Sequence, residues 1–67
     1  MEMKMDKLKK AIRIGMRNSI KRYGKSYTRE QGKRLVNTLK IVEGEQNKIF
    51  LSLYMEEYCI HFPNVQL

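Results

Sequence analysis

Sixty-seven residues with a net charge of +7, 42% apolar and 31% charged, allow one small folded domain with a thin core. A chain this short buries only about 60% of its extended surface. Its apolar content argues against disorder, and its charge favours an anionic partner: nucleic acid, an acidic protein surface or anionic lipid.

Met1 to Met5 is expected to fray. From Lys4 to Tyr23 the chain has a helical period. At about 100° per residue, Leu8, Ala11, Ile12, Gly15, Met16, Ser19, Ile20 and Tyr23 fall on one side. Lys7, Lys10, Arg13, Arg17 and Lys21 fall on the other, with Asp6 as the only acid among them. Ile14 sits inside that cationic face as a candidate apolar anchor for a protein partner. Gly24 is a suitable stop, because glycine takes the left-handed conformation that closes a helix end.

Lys25, Ser26 and Tyr27 read as a short turn. Thr28 and Gln31 have capping-box spacing, which predicts a second helix over 29–43. Its apolar line is Leu35, Leu39 and Val42, with Val36 at the edge. Gly32 costs that helix about 1 kcal/mol relative to alanine. Arg29, Lys33, Arg34 and Lys40 lie on this helix, and Arg29, Lys33 and Lys40 cluster on one side, where they could extend the basic surface. A helix-turn-helix arrangement with 28–43 as the reading helix has only weak support, because no turn-and-core spacing establishes it.

Gly44 is a candidate C-terminal cap for that helix. Asn47 is a candidate cap for a third one reaching Phe62, where Pro63 stops it. Ten of the fourteen residues from 49 to 62 are apolar or aromatic. A segment apolar on most sides is buried on most sides, so Phe50, Leu51, Tyr54, Met55, Tyr58 and Phe62 form a candidate interface for a homodimer. The fold class is therefore all-α, a helical hairpin plus a C-terminal helix in one domain. Two alternatives remain at this stage. One is that the second and third helices are a single long helix across 35–62; the other is the N-terminal helix followed by a β-hairpin over 35–62.

Charge is unevenly distributed. Residues 1–40 hold 13 Lys and Arg against three acids, a balance of +10, and residues 41–67 a balance of −3. Two surfaces with two roles are expected. The single Cys59 excludes an internal disulfide and suits a reducing compartment. No stretch reaches the roughly twenty apolar residues of a membrane span, and no secretory signal is visible, so a cytoplasmic protein is expected.

Catalytic patterns are missing. Cys59 and His61, two residues apart on a helix, point away from each other, which argues against a nucleophile–base pair. Glu57 and His61 are one turn apart, but a structural zinc needs about four ligands. No phosphate-binding loop or Ser/His/Asp set is present, and no cofactor or metal is expected. The Tyr-Gly pair, Thr28 and the following apolar helix loosely resemble the small two-helix phosphatases that act on sporulation response regulators. Where those carry Ser-Gln-x-x-Asp, this chain reads Val36-Asn37-Thr38-Leu39-Lys40, without the acid, so the resemblance does not imply their chemistry.

The sequence thus points to a non-enzymatic regulatory protein that binds nucleic acid, DNA before RNA, through Lys7, Lys10, Arg13, Arg17, Lys21, Arg29 and Lys33. The rival reading is a small inhibitor or adaptor that docks on an acidic surface of a larger protein.

Overall fold

The computed structural model describes residues 4–67 and contains three helices: α1 (Lys4–Tyr23), α2 (Lys25–Ile41) and α3 (Glu45–His61). There is no strand among the described residues. The all-α, three-helix expectation holds, and the β-hairpin is not formed. The single long second helix is excluded as well, because Gly44 breaks the chain with φ 133°. Residues 1–3 of the segment expected to fray lie outside the described residues. Lys4 and Met5 already belong to α1.

Two glycines set the corners. Gly24 is the sole residue between α1 and α2. Its N–H donates to the Ile20 carbonyl at 2.9 Å, ending α1, and its carbonyl accepts from the Thr28 N–H at 3.2 Å, starting α2. With φ 96° and ψ 165° it occupies a region nearly closed to other residues, rather than the left-handed helical cap expected from sequence. Gly44 plays the same part before α3, and its carbonyl accepts from the Lys48 N–H at 3.1 Å.

The capping expectations require correction. α2 begins at Lys25, so Thr28 is inside the helix and buried. Its hydroxyl donates its one proton back to the Gly24 carbonyl at 3.0 Å. The Ser19 hydroxyl, 2.8 Å away, therefore donates to Thr28, and this pair ties α1 to α2. Asn47 lies in the first turn of α3, and its amide donates to the Glu43 carbonyl at 3.1 Å.

α1 meets the others through Ile12 and Met16, with Leu8, Ser19 and Ile20 partly buried. α2 turns inward a line different from the expected one. Val36 is fully buried, while Leu35 and Val42 are exposed. The inner line is Thr28, Gly32 and Val36, one residue per turn and all small or β-branched. The cause is Tyr58 of α3. A Cβ placed on Gly32 would collide with the Tyr58 ring and lie 3.0 Å from the Tyr54 hydroxyl. Only a glycine lets α2 approach a ring of that size.

Along α3 and its C-cap, the rings of Phe50, Tyr54, Tyr58 and Phe62 follow at four-residue spacing, with centroids 6.0, 6.2 and 4.7 Å apart. Tyr58 has no exposed surface and its hydroxyl donates to the Arg29 carbonyl at 2.8 Å. Burial pushes the Tyr58 phenol above its ordinary value, and burial together with Tyr58 does the same for Tyr54. After Pro63 the tail folds back. Val65 and Leu67 pack on the cluster of Met16, Tyr58 and Phe62, and Lys40 donates to the Leu67 carbonyl at 3.0 Å. The molecule is 18 Å thick along its short axis. That is two helix diameters at about 10 Å each, so each helix keeps an outward face.

Candidate nucleic-acid interface

The outward face of α1 follows from its inward one. With Ile12 and Met16 buried, residues at i+2 and i+5 from them point away. Lys7, Lys10, Ile14, Arg17, Asn18 and Lys21 are all exposed. From Lys7 to Lys21 the row spans about 21 Å at 1.5 Å per residue. Ile14 keeps 48% of its surface exposed in the middle of these cations. Together with Arg17, Asn18 and Lys21 it lines a shallow depression of about 280 Å³. A second depression, of about 420 Å³, lies against Asn18, Lys21 and Arg22 and carries the concave surface on toward the α1–α2 corner.

Other cations of the sequence-predicted set are placed differently. Arg13 turns toward α3, where its Nε lies 3.4 Å from Oε1 of Glu57, a carboxylate only 2% exposed. The same oxygen lies 3.3 Å from Nε2 of His61. Next to it, Lys9 donates to Glu56 at 3.0 Å. These contacts form a charged seam between α1 and α3, and Arg13 belongs to that seam. Arg29 is exposed and lies 3.9 Å from Glu30, and Lys33 is half-buried. Both sit on the flank of α2 that meets α3 and the tail, where the Arg29 carbonyl and the Lys40 amine make their hydrogen bonds. α1 packs on the other flank, through Thr28. The row on α1 therefore stands apart from Arg29 and Lys33.

The candidate dimer residues divide too. Tyr58 and Phe62 are buried within the chain itself, whereas Phe50, Leu51, Tyr54 and Met55 are partly buried. An apolar cleft of about 350 Å³ opens between Leu8, Ala11 and Gly15 of α1 and Phe50 and Tyr54 of α3.

One feature escaped the sequence reading. The sequence pattern puts Tyr23 on the inward stripe and Tyr27 in a turn. Both are exposed, 58% and 49%, and their rings pack against each other at 4.9 Å across Gly24. The Arg22 guanidinium lies 5.9 Å from the Tyr23 ring centroid. The available signal was the i, i+4 spacing of two tyrosines around a glycine stop.

Cys59 is exposed. Among the described residues no group of three or more His, Cys, Asp and Glu is placed to hold a metal ion, and no helix is long and apolar enough to cross a membrane. Comparison with family models, curated proteins and solved structures finds no match.

Proposed function

We propose that this protein is a non-enzymatic regulatory or architectural factor of the cytoplasm that binds nucleic acid, DNA in the first place, through the outward face of α1. One observation carries the reading: Lys10, Arg17 and Lys21 share one exposed side of a 20-residue helix with Lys7, and Asp6 is the only acid on that side. Such side chains neutralise phosphates and release counterions, which gives affinity with strong salt dependence and little sequence information. Arg13 is left out of the contact set because Glu57 holds it.

A salt titration of binding to mixed-sequence DNA tests this. Three phosphate contacts, from Lys10, Arg17 and Lys21, give a slope of log K against log salt of about −2.7 for duplex. The triple change Lys10→Glu, Arg17→Glu and Lys21→Glu is expected to abolish binding. Lack of binding by the unaltered protein even in low salt would refute the proposal.

Ile14 favours a second reading, an acidic protein partner. A half-exposed isoleucine within a cationic patch suits an apolar anchor ringed by charge pairs. Under that reading Ile14→Asp eliminates capture of a stoichiometric acidic protein, and under the first it leaves a charge-driven contact largely in place. Self-pairing through α3 belongs to the proposal in reduced form. Phe50, Leu51, Tyr54 and Met55 are its contributors, and sedimentation equilibrium reports it.

A further inference from the structure

The geometry points to the exposed Tyr23–Tyr27 pair at the α1–α2 corner as a stacking site for unpaired bases, which makes single-stranded or looped nucleic acid the preferred ligand. This inference rests on the nucleic-acid reading of α1 and specifies its substrate class.

Three observations converge on the corner. First, Tyr23 and Tyr27 are the only exposed aromatic residues among those described, and they adjoin each other. A helical protein of this size has reason to bury such rings, as it does with Tyr58. Here Gly24 joins the helices with a single residue and holds both phenols outside the core.

Second, the setting is cationic. Residues 21–28 contain Lys21, Arg22 and Lys25 and no acid. Arg22 stands close enough to the Tyr23 face for a cation–π contact. The nearest acid in sequence, Glu30, lies 3.9 Å from the Arg29 guanidinium.

Third, the basic face reaches the corner. The depressions along Ile14, Arg17, Asn18 and Lys21 and along Asn18, Lys21 and Arg22 share two residues, and the Arg22 guanidinium stands 5.9 Å from the Tyr23 ring centroid. A strand leaving the row of α1 past Arg22 would meet these rings. Bases stack on aromatic faces when they are unpaired, and in a duplex those faces are occupied by neighbouring base pairs. Aromatic rings beside a cationic track therefore discriminate in favour of unpaired strands.

The competing explanation is that the pair only staples the corner. Leucine separates the two roles, because it keeps the apolar contact and lacks a π face. The test measures binding of one labelled mixed-sequence DNA strand, alone and annealed to its complement, at fixed salt. Tyr23→Leu combined with Tyr27→Leu is expected to weaken single-strand binding by at least about tenfold and duplex binding by less than about twofold, while Tyr23→Phe with Tyr27→Phe retains both. Thermal melting of each variant confirms that it folds. If the leucine variant binds the single strand as the parent does, or loses both ligands equally, the stacking assignment is overturned. The same holds if the parent binds duplex alone, and in that case the basic-face proposal survives. If the parent binds neither form, both fall together.

Discussion

Gly15 and Gly32 both lie within helices, and helix propensity alone gives Gly→Ala the same sign at each: a gain of about 1 kcal/mol. The structure gives them opposite signs. Around Gly15 a Cβ meets nothing within 4 Å, so Gly15→Ala should stabilise by up to about 1 kcal/mol. At Gly32 the added methyl would lie 2.8 Å from Cδ2 of Tyr58 and closer still to its Cε2. That ring cannot easily retreat. It is fully buried, it packs on Phe62 at 4.7 Å, and its hydroxyl is held by the Arg29 carbonyl. Overpacking of this kind costs about 1–3 kcal/mol, which meets or exceeds the propensity gain. The net expectation for Gly32→Ala is a loss of up to about 2 kcal/mol, with α2 pushed off α3. For a domain of this size each kcal/mol moves the thermal midpoint by about 4–8 °C. Melting followed by far-ultraviolet circular dichroism should therefore show the two variants shifted in opposite directions. An equal rise for both would refute the close approach of α2 to Tyr58.

Three further outcomes follow from the packing. Arg13→Ala should destabilise by about 2–3 kcal/mol by stranding the Glu57 carboxylate, the low end for a broken buried pair because the guanidinium is half solvated. Glu57→Gln removes the buried charge itself and should cost less than about 1.5 kcal/mol; urea titrations that reverse this order contradict the seam. Stability should also fall in alkali. Tyr58 and Tyr54 ionise above their ordinary value of 10.0 when folded, so their contribution is complete below the unfolded value and is lost as pH rises through the folded one. A urea midpoint that stays flat across that range, or a Tyr58→Phe variant with an identical decline, would contradict this. Finally, Gly24→Ala should cost about 1–3 kcal/mol by forcing a side chain into the φ 96° conformation, and an unchanged melting midpoint would show that the corner can rearrange.

The sequence revealed the fold most clearly where one physical signal stood alone. α1 has a strict 3.6-residue period, and Gly24, Gly44 and Pro63 interrupt the chain where helices end, so three helices and the outward cations of α1 were legible. The inner line of α2 was not. Leu35, Leu39 and Val42 carry more apolar surface than Thr28, Gly32 and Val36, but what decides the facing is the space Tyr58 needs, and that is a property of another helix. The capping reading of Thr28 failed for a related reason. Gly24 alone makes the corner, which leaves Thr28 one turn inside α2, where Ser19 satisfies its hydroxyl. Pattern also could not separate Arg13 from Lys10 and Arg17, because the choice depends on Glu57 being carried inward on α3. Tyr23 sits at the inward phase of α1 but beyond the point where α2 and α3 cover it, and helical phase says nothing about where the cover ends.

The account depends above all on the outward side of α1 meeting nucleic acid, and amide chemical-shift mapping during titration with a mixed-sequence oligonucleotide tests that contact residue by residue. The expected perturbations centre on Lys10, Ile14, Arg17 and Lys21 and reach Tyr23 and Tyr27 with a single strand, leaving the exposed Cys59 of α3 unmoved. Perturbations concentrated on α3, or spectra unchanged at saturating ligand and low salt, would contradict it.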